Sequence, residues 1–377
     1  MAVFEAKDVR NIVLLGHSGC GKTSVAEALL FGGGAIPRMG SVAEGNTASD
    51  YNEDEKDRKC SISSSLMTFV AGGRKINMVD TPGYTDFVGE MVGSLRAADT
   101  AIVVVNATGG IEIGTEKAQR MCGDKGVSSI FFVNKLDKDH ADFDKCVEAI
   151  GKKFRKNCVV VTYPVGREGS FRSVVNLLTR QGVDALSGDD KDAAQDAINK
   201  LSEAVAETDD ALLEKYLENG ELSADELKSA LRKAIADGKI HPILCGSSSK
   251  NIGIKELIDF IANYLPSPAD RPQVEAAKPD GSGSTMLKLD PNGPFAALVF
   301  KTLSDPFIGQ ISIFKVFSGK LQSNGTFFNV NKGTKERIGQ IFSLLGKAQT
   351  PVESVQAGDI GCVSKLKDTQ TGDTICD

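Results

Sequence analysis

The chain has 377 residues, 41% of them hydrophobic and 25% charged, with 39 glycines and 12 prolines; this excludes disordered, collagen-like and membrane-spanning classes and predicts an ordinary soluble protein of two or three domains. Its apolar runs, such as 101–105 and 130–133, fall far short of the roughly 18 residues of a membrane span, and residues 1–15 carry no secretory or transit pattern, so a cytoplasmic protein without membrane contact is expected. The formal charge of −6 argues against a broad nucleic-acid coat and against DNA as a partner.

In chain order, short apolar runs at 11–15, 75–79, 101–105, 130–133, 159–162 and 242–245 predict buried parallel strands. Helix-like segments lie between them, among them 24–30 and the series Phe87, Met91, Leu95, Ala98. The alternation predicts an α/β fold, a doubly wound, mainly parallel sheet with helices on both faces. From about 163 to 240 the rhythm breaks, and the stretch 189–237, rich in Ala, Asp, Glu, Lys and Leu, predicts an insertion of two or three surface helices before the last strand. Six of the 12 prolines fall between Tyr264 and Pro294, together with a flexible tract at 280–284. A linker at about 266–290 is expected, separating a domain of residues 1–282 from one of residues 283–377. Runs at 295–302, 309–318, 326–329, 337–342 and 361–364, set apart by Gly and Asn, predict a small antiparallel β-barrel. This part is mildly basic, with ten Lys and Arg against eight Asp and Glu. Eight cysteines without a CxxC pair and three scattered histidines argue against structural zinc and for reduced thiols.

Residues 16–23, GHSGCGKT, match GxxxxGK[ST] between a predicted strand and a predicted helix. In such a P-loop, backbone N–H groups of Gly16, His17, Ser18, Gly19, Cys20 and Gly21 turn toward phosphates, with Ser24 opening the helix. Lys22 offers a charge to the β- and γ-phosphates, and the Thr23 hydroxyl reaches Mg²⁺. Asp80-Thr81-Pro82-Gly83 ends the 75–79 strand, where a carboxylate serves as a metal ligand and the Gly83 N–H contacts a γ-phosphate. Asn134-Lys135-Leu136-Asp137 follows the 130–133 strand. Its terminal carboxylate can accept from N1–H and the 2-amino group of guanine, a pair that adenine lacks. Three such motifs in order, each after a strand, predict guanine-nucleotide binding and conflict with an ATP enzyme.

These motifs, with DYNEDEKDRKCSI from residue 50, DTPGYTDF from 80, GGIEIGTEKA from 109 and ILCGSSSKNIG from 243, resemble translation elongation factor G or a close paralogue. The resemblance implies a P-loop GTPase domain with its helical insertion, then domain II, with GTP/GDP and Mg²⁺ as ligands and the ribosome, its RNA and proteins, as partner of a monomer. It further implies that Ser247 and Ser248 close over the base, that 40–63 is switch I, and that Ser61 ligates Mg²⁺. Members of that family continue through three more domains, so the chain is expected to be part of a longer factor; a natural two-domain protein is the alternative.

Departures from the family gather where hydrolysis happens. The usual His after DTPG is Tyr84, which is neutral near pH 7 but can donate one hydrogen bond. The usual RGIT reads Arg58-Lys59-Cys60-Ser61, and Gly19 stands where an Asp is common. With Lys22 and Ser61, Tyr84 completes the candidate catalytic set. Either hydrolysis is slowed or these are lineage variations. The leading expectation is a ribosome-stimulated GTPase with a translocation-like role; the alternatives are a GTP-gated ribosome-associated protein with vestigial hydrolysis, or a ribosomal-protection or release-type paralogue. Cys20 is either an oxidisable thiol at a helix N-terminus or a small space-filler. Lys301, Lys315, Lys320, Lys332, Lys335 and Arg337 either contact ribosomal RNA or are simply solvated.

Overall fold

A computed structural model of the chain describes residues 4–154, 157–271, 273–277, 282–305 and 309–377. Strand β1 (Val9–Leu15) is buried at every position, even at Arg10, whose guanidinium donates to the carbonyl oxygens of Lys7, Val9, Ile261 and Ala262 at 2.8–3.2 Å. There follow α1 (Lys22–Gly32), α2 (Glu53–Arg58), β2 (Ser65–Ala71), β3 (Arg74–Asp80), α3 (Val88–Ala97), β4 (Thr100–Asn106), α4 (Ile113–Lys125), β5 (Ser128–Asn134) and α5 (Phe143–Phe154). Beyond these come β6 (Cys158–Val160), β7 (Thr162–Val165), β8 (Ser173–Asn176), α6 (Asp189–Ala206), α7 (Asp210–Asn219), α8 (Ala224–Ala236), β9 (His241–Cys245) and α9 (Ile254–Asn263).

The strand order is β2-β3-β1-β4-β5-β9-β6, parallel from β3 to β6. This is the expected mainly parallel α/β sheet, its helices packed as pairs, α1 on α9 and α3 on α4. Leu14 is level with Asp80 and Asn106 with Asn134, so the loops carrying the three motifs leave the same edge. Strand β2 was not foreseen; it is an apolar run that lies antiparallel to β3. The expected strand 159–162 is divided between β6 and β7, because the Thr162 hydroxyl, rather than its backbone, accepts from Cys245 N–H at 2.9 Å. The insertion holds the β7–β8 hairpin and three helices. Helix α6 buries Ile198, Leu201 and Val205, α7 is capped by Asp209, and α8 opens on a Ser223–Glu226 capping box. Among the described residues no helix is long and apolar enough to cross a membrane.

The stretch expected as linker contains a hairpin, β10 (Gln273–Ala277) with β11 (Ser284–Lys288), so Ser284, read as the end of a flexible tract, stands in a strand; residues 272 and 278–281 lie outside the described residues. After it come β12 (Ala296–Asp305), β13 (Gly309–Ser318), β14 (Lys320–Gln322), β15 (Thr326–Asn329), β16 (Thr334–Arg337), β17 (Ile341–Leu345), β18 (Ala348–Val352), β19 (Ser354–Gln356), β20 (Ile360–Ser364) and β21 (Thr374–Cys376). The run 337–342 is not one strand: β16 ends at Arg337 and pairs with β15, whereas β17 begins at Ile341 and pairs with β18 and β20. These antiparallel strands form a barrel-like unit around Phe295, Val299, Phe314, Val316, Phe327 and Ile341.

The two units share a buried polar seam. Lys75 Nζ meets Asp359 Oδ2 at 2.6 Å, Asn77 donates to Asp359 Oδ1 at 2.9 Å, Asn11 donates to the Gly358 carbonyl at 2.8 Å, and Lys315 meets Asp99 at 2.6 Å. Polar side chains in otherwise apolar strands are thus satisfied by the barrel.

Candidate functional site

The P-loop needs its glycines. Gly21 has φ 96°, and a Cβ there would come within 2.5 Å of Asn134 Nδ2. The buried Lys22 ammonium, 6% exposed, donates to the carbonyls of Gly16 at 3.2 Å and His17 at 3.0 Å. Gly83 presses on the same loop: a Cβ there would collide with Lys22 Nζ and lie 2.7 Å from Ser18 Cα. Ser24 sits in the first turn of α1. The His17 side chain is turned to α4, accepting from Gly114 N–H at 3.3 Å with Glu112 at 3.5 Å. Cys20 is fully buried, and that burial, against the pull of Lys22, raises its thiol pKa, so it fits the space-filling reading and not an oxidisable thiol.

Around Thr23 the structure gathers residues from three segments. The Thr23 hydroxyl donates to Asp80 Oδ2 at 2.7 Å and stands 3.0 Å from the Ser61 hydroxyl. Asp80 Oδ1 is buried without a hydrogen-bond partner. Burial pushes the Asp80 carboxyl up to about 6, against the Thr23 hydroxyl and the Lys22 charge. Asp50, 4% exposed, is pushed up to about 7 by burial and then by the Asp80 charge, and its Oδ2 is likewise unpartnered. Two hydroxyls beside two under-satisfied carboxylates are a hard oxygen set suited to Mg²⁺.

Sequence reading missed Asp50, although it opens the 50–62 stretch, and it missed the two carboxylates that hold the segment around it. Glu27, 1% exposed, accepts from Gly40 N–H at 2.8 Å and from Ala48 N–H at 2.5 Å. Glu55 accepts from Ile62 and Ser63 N–H, each at 3.0 Å. Only Glu55 left a local signal, the Asn52-x-x-Glu55 capping box of α2.

The third motif packs against both the P-loop and the loop after β9. Asn134 donates to the Cys20 carbonyl at 3.1 Å and accepts from Ser248 N–H at 3.0 Å. Lys135 Nζ reaches the Gly19 carbonyl at 2.6 Å. Ser247 donates to Asp137 Oδ1 at 2.6 Å. Partial burial works to raise the Asp137 carboxyl, but the Ser247 bond and the charges of Lys138 and Lys250 outweigh it and hold the group below its ordinary range. Tyr84, directly after Gly83, is half exposed at the start of the turn before α3.

Residues 7–267 match the family described as the elongation factor Tu GTP binding domain, and residues 294–377 match elongation factor G domain 2. The chain belongs to the elongation factor Tu and G family of GTP-binding translation factors. It is similar to a solved structure of a protein from Thermus thermophilus, with 29% identity and a TM-score of 0.86. That match covers 99% of this chain but only 54% of the other, so the chain spans about half its length. The family is one of GTPases, whose nucleotides are GTP and GDP.

Proposed function

We propose that this chain binds GTP and GDP with Mg²⁺ and hydrolyses GTP when docked on a ribosome, in the manner of elongation factor G in the cytoplasm. The convergence of Ser61 and Asp80 on Thr23, beside two unpartnered carboxylate oxygens, carries this reading. Mg²⁺ held by Thr23, Ser61 and Asp80 would neutralise phosphate charge. Backbone N–H groups of 16–21, with Gly83, cradle the phosphates, and the Lys22 ammonium exchanges its carbonyl partners for β- and γ-phosphate oxygens. Asp137 accepts from guanine while Ser247 and Ser248 close over the base. In hydrolysis, water attacks the γ-phosphorus, the bond to the β–γ bridging oxygen breaks, and the water proton passes to the released phosphate.

The exposed phenol of Tyr84 favours a second reading in which nucleotide gates ribosome docking and hydrolysis is vestigial. Titration of the chain with labelled GDP, then GTP turnover with and without ribosomes, tests both. Saturable GDP binding at micromolar concentration with ribosome-stimulated turnover supports the first reading, binding without turnover supports the second, and absence of binding by folded chain overturns both.

A further inference from the structure

Among the described residues, two of the places where the barrel touches the α/β unit are chemically separate. The polar seam around Asp359 and Lys315 involves β1, β3 and the loop before β4, and none of its residues belongs to the 40–63 segment. The second place does involve that segment's end. Lys301 on β12, 7% exposed, donates to Ser63 Oγ at 2.6 Å and Ser64 Oγ at 2.9 Å and pairs with the Glu90 carboxylate on α3. Ser64 completes the cluster, donating to Glu90 through its N–H at 2.7 Å and its hydroxyl at 2.6 Å. All three ammonium donors are therefore committed. The β17–β18 turn adds a close approach: Gly346 N–H donates to the Leu66 carbonyl at 3.0 Å, and a Cβ on Gly346 would collide with the Ala48 carbonyl oxygen.

Ser63 follows Ser61 by two residues, and Glu55 pins the N–H groups of Ile62 and Ser63 beside it. If the segment leaves Thr23, Lys301 loses its Ser63 acceptor while staying in a buried seam, which is costly for an ammonium. An interaction made only in the docked arrangement shifts the equilibrium toward it. We propose that Lys301, a residue of the barrel, is a positioning residue for the switch segment, holding Ser63 and Ser64 so that Ser61 stays at Thr23 and the triphosphate state is favoured over the diphosphate state. This rests on the nucleotide assignment above.

The test uses the full chain with Mg²⁺ and compares affinity for GDP and for a non-hydrolysable GTP analogue, together with tryptic cleavage within 38–59. Lys301→Met should weaken analogue binding about tenfold while leaving GDP binding within about twofold, and should make the analogue-bound chain as cleavable as the GDP-bound one. Ser63→Ala, a gentler change if Lys301→Met fails to fold, should shift the same ratio in the same direction. Lys315→Met, which breaks only the other seam, should leave the ratio unchanged. Equal loss for both nucleotides, or an unchanged ratio in the Lys301 and Ser63 variants, overturns the proposal while the nucleotide assignment stands. If the unmodified chain binds neither nucleotide, the assignment itself is wrong and the proposal falls with it.

Discussion

The Ser247 hydroxyl lies 2.6 Å from Asp137 Oδ1, tying the loop after β9 to the loop after β5. The bond orients the carboxylate and leaves it charged, the state needed to accept two guanine donors. Asp137→Asn should weaken GTP binding by about 2 kcal/mol, as expected for a lost charge-assisted acceptor, and should favour xanthosine nucleotides, whose 2-oxo group suits the new amide. Competition titrations with both bases check this, and unchanged GTP affinity would refute the guanine assignment.

Asp50 and Asp80 are raised to about 7 and about 6, so the native chain holds these protons more tightly than the unfolded chain, where carboxyls titrate near pH 4. Their contribution to stability is present at low pH and is lost as pH rises through about 4 to 7. In metal-free buffer, Asp50→Asn should therefore raise Tm relative to the unaltered chain at about pH 8, with the difference vanishing near pH 4. A thermal melt series reads it. A difference that grows toward acid would reverse the sign and exclude burial of the two carboxyls as the cause.

Lys59 ends α2 in left-handed backbone, with φ 52° and ψ 41°, where an L side chain costs roughly 1 kcal/mol. Lys59→Gly removes that strain but loosens the unfolded chain, so a net gain of about 0.5 kcal/mol is expected. Denaturant unfolding measures it; destabilisation would show that the Lys59 side chain contributes more than its backbone costs.

A positioned general acid or base contributes about 10² to 10⁴ in rate, and Tyr84 can supply only a neutral hydrogen bond. In a full-length factor on ribosomes, Tyr84→His should speed turnover if the position faces the attacking water, and Tyr84→Phe should slow it further if the phenol orients that water. Turnover indifferent to both substitutions would mean that catalysis runs through other groups.

The P-loop, Asp80 to Gly83 and Asn134 to Asp137 were legible because each follows a run of apolar strand residues and depends on neighbours in sequence: glycines that permit the turn, then a charged or hydroxyl side chain at a strand or helix end. The alternation of such runs likewise determined the α/β order, and the shorter alternating runs past residue 294 determined the β-rich second unit. Strand β2 escaped although Leu66–Ala71 is an apolar run like the others, and its place beside β3 comes from a two-residue turn at Gly72 and Gly73.

What only the tertiary structure decided are the pairings across long separations. Asp50 is one carboxylate in an acidic stretch until the chain buries it beside Asp80. Asn11, Lys75 and Asn77 look misplaced in buried strands until the barrel brings Asp359 and the Gly358 carbonyl to them. Lys301 reads as another solvated barrel lysine until Ser63, Ser64 and Glu90 surround it. The physical reason is the same in each case: a polar group's cost of burial depends on partners far along the chain or on another unit altogether, and no local periodicity records who those partners are.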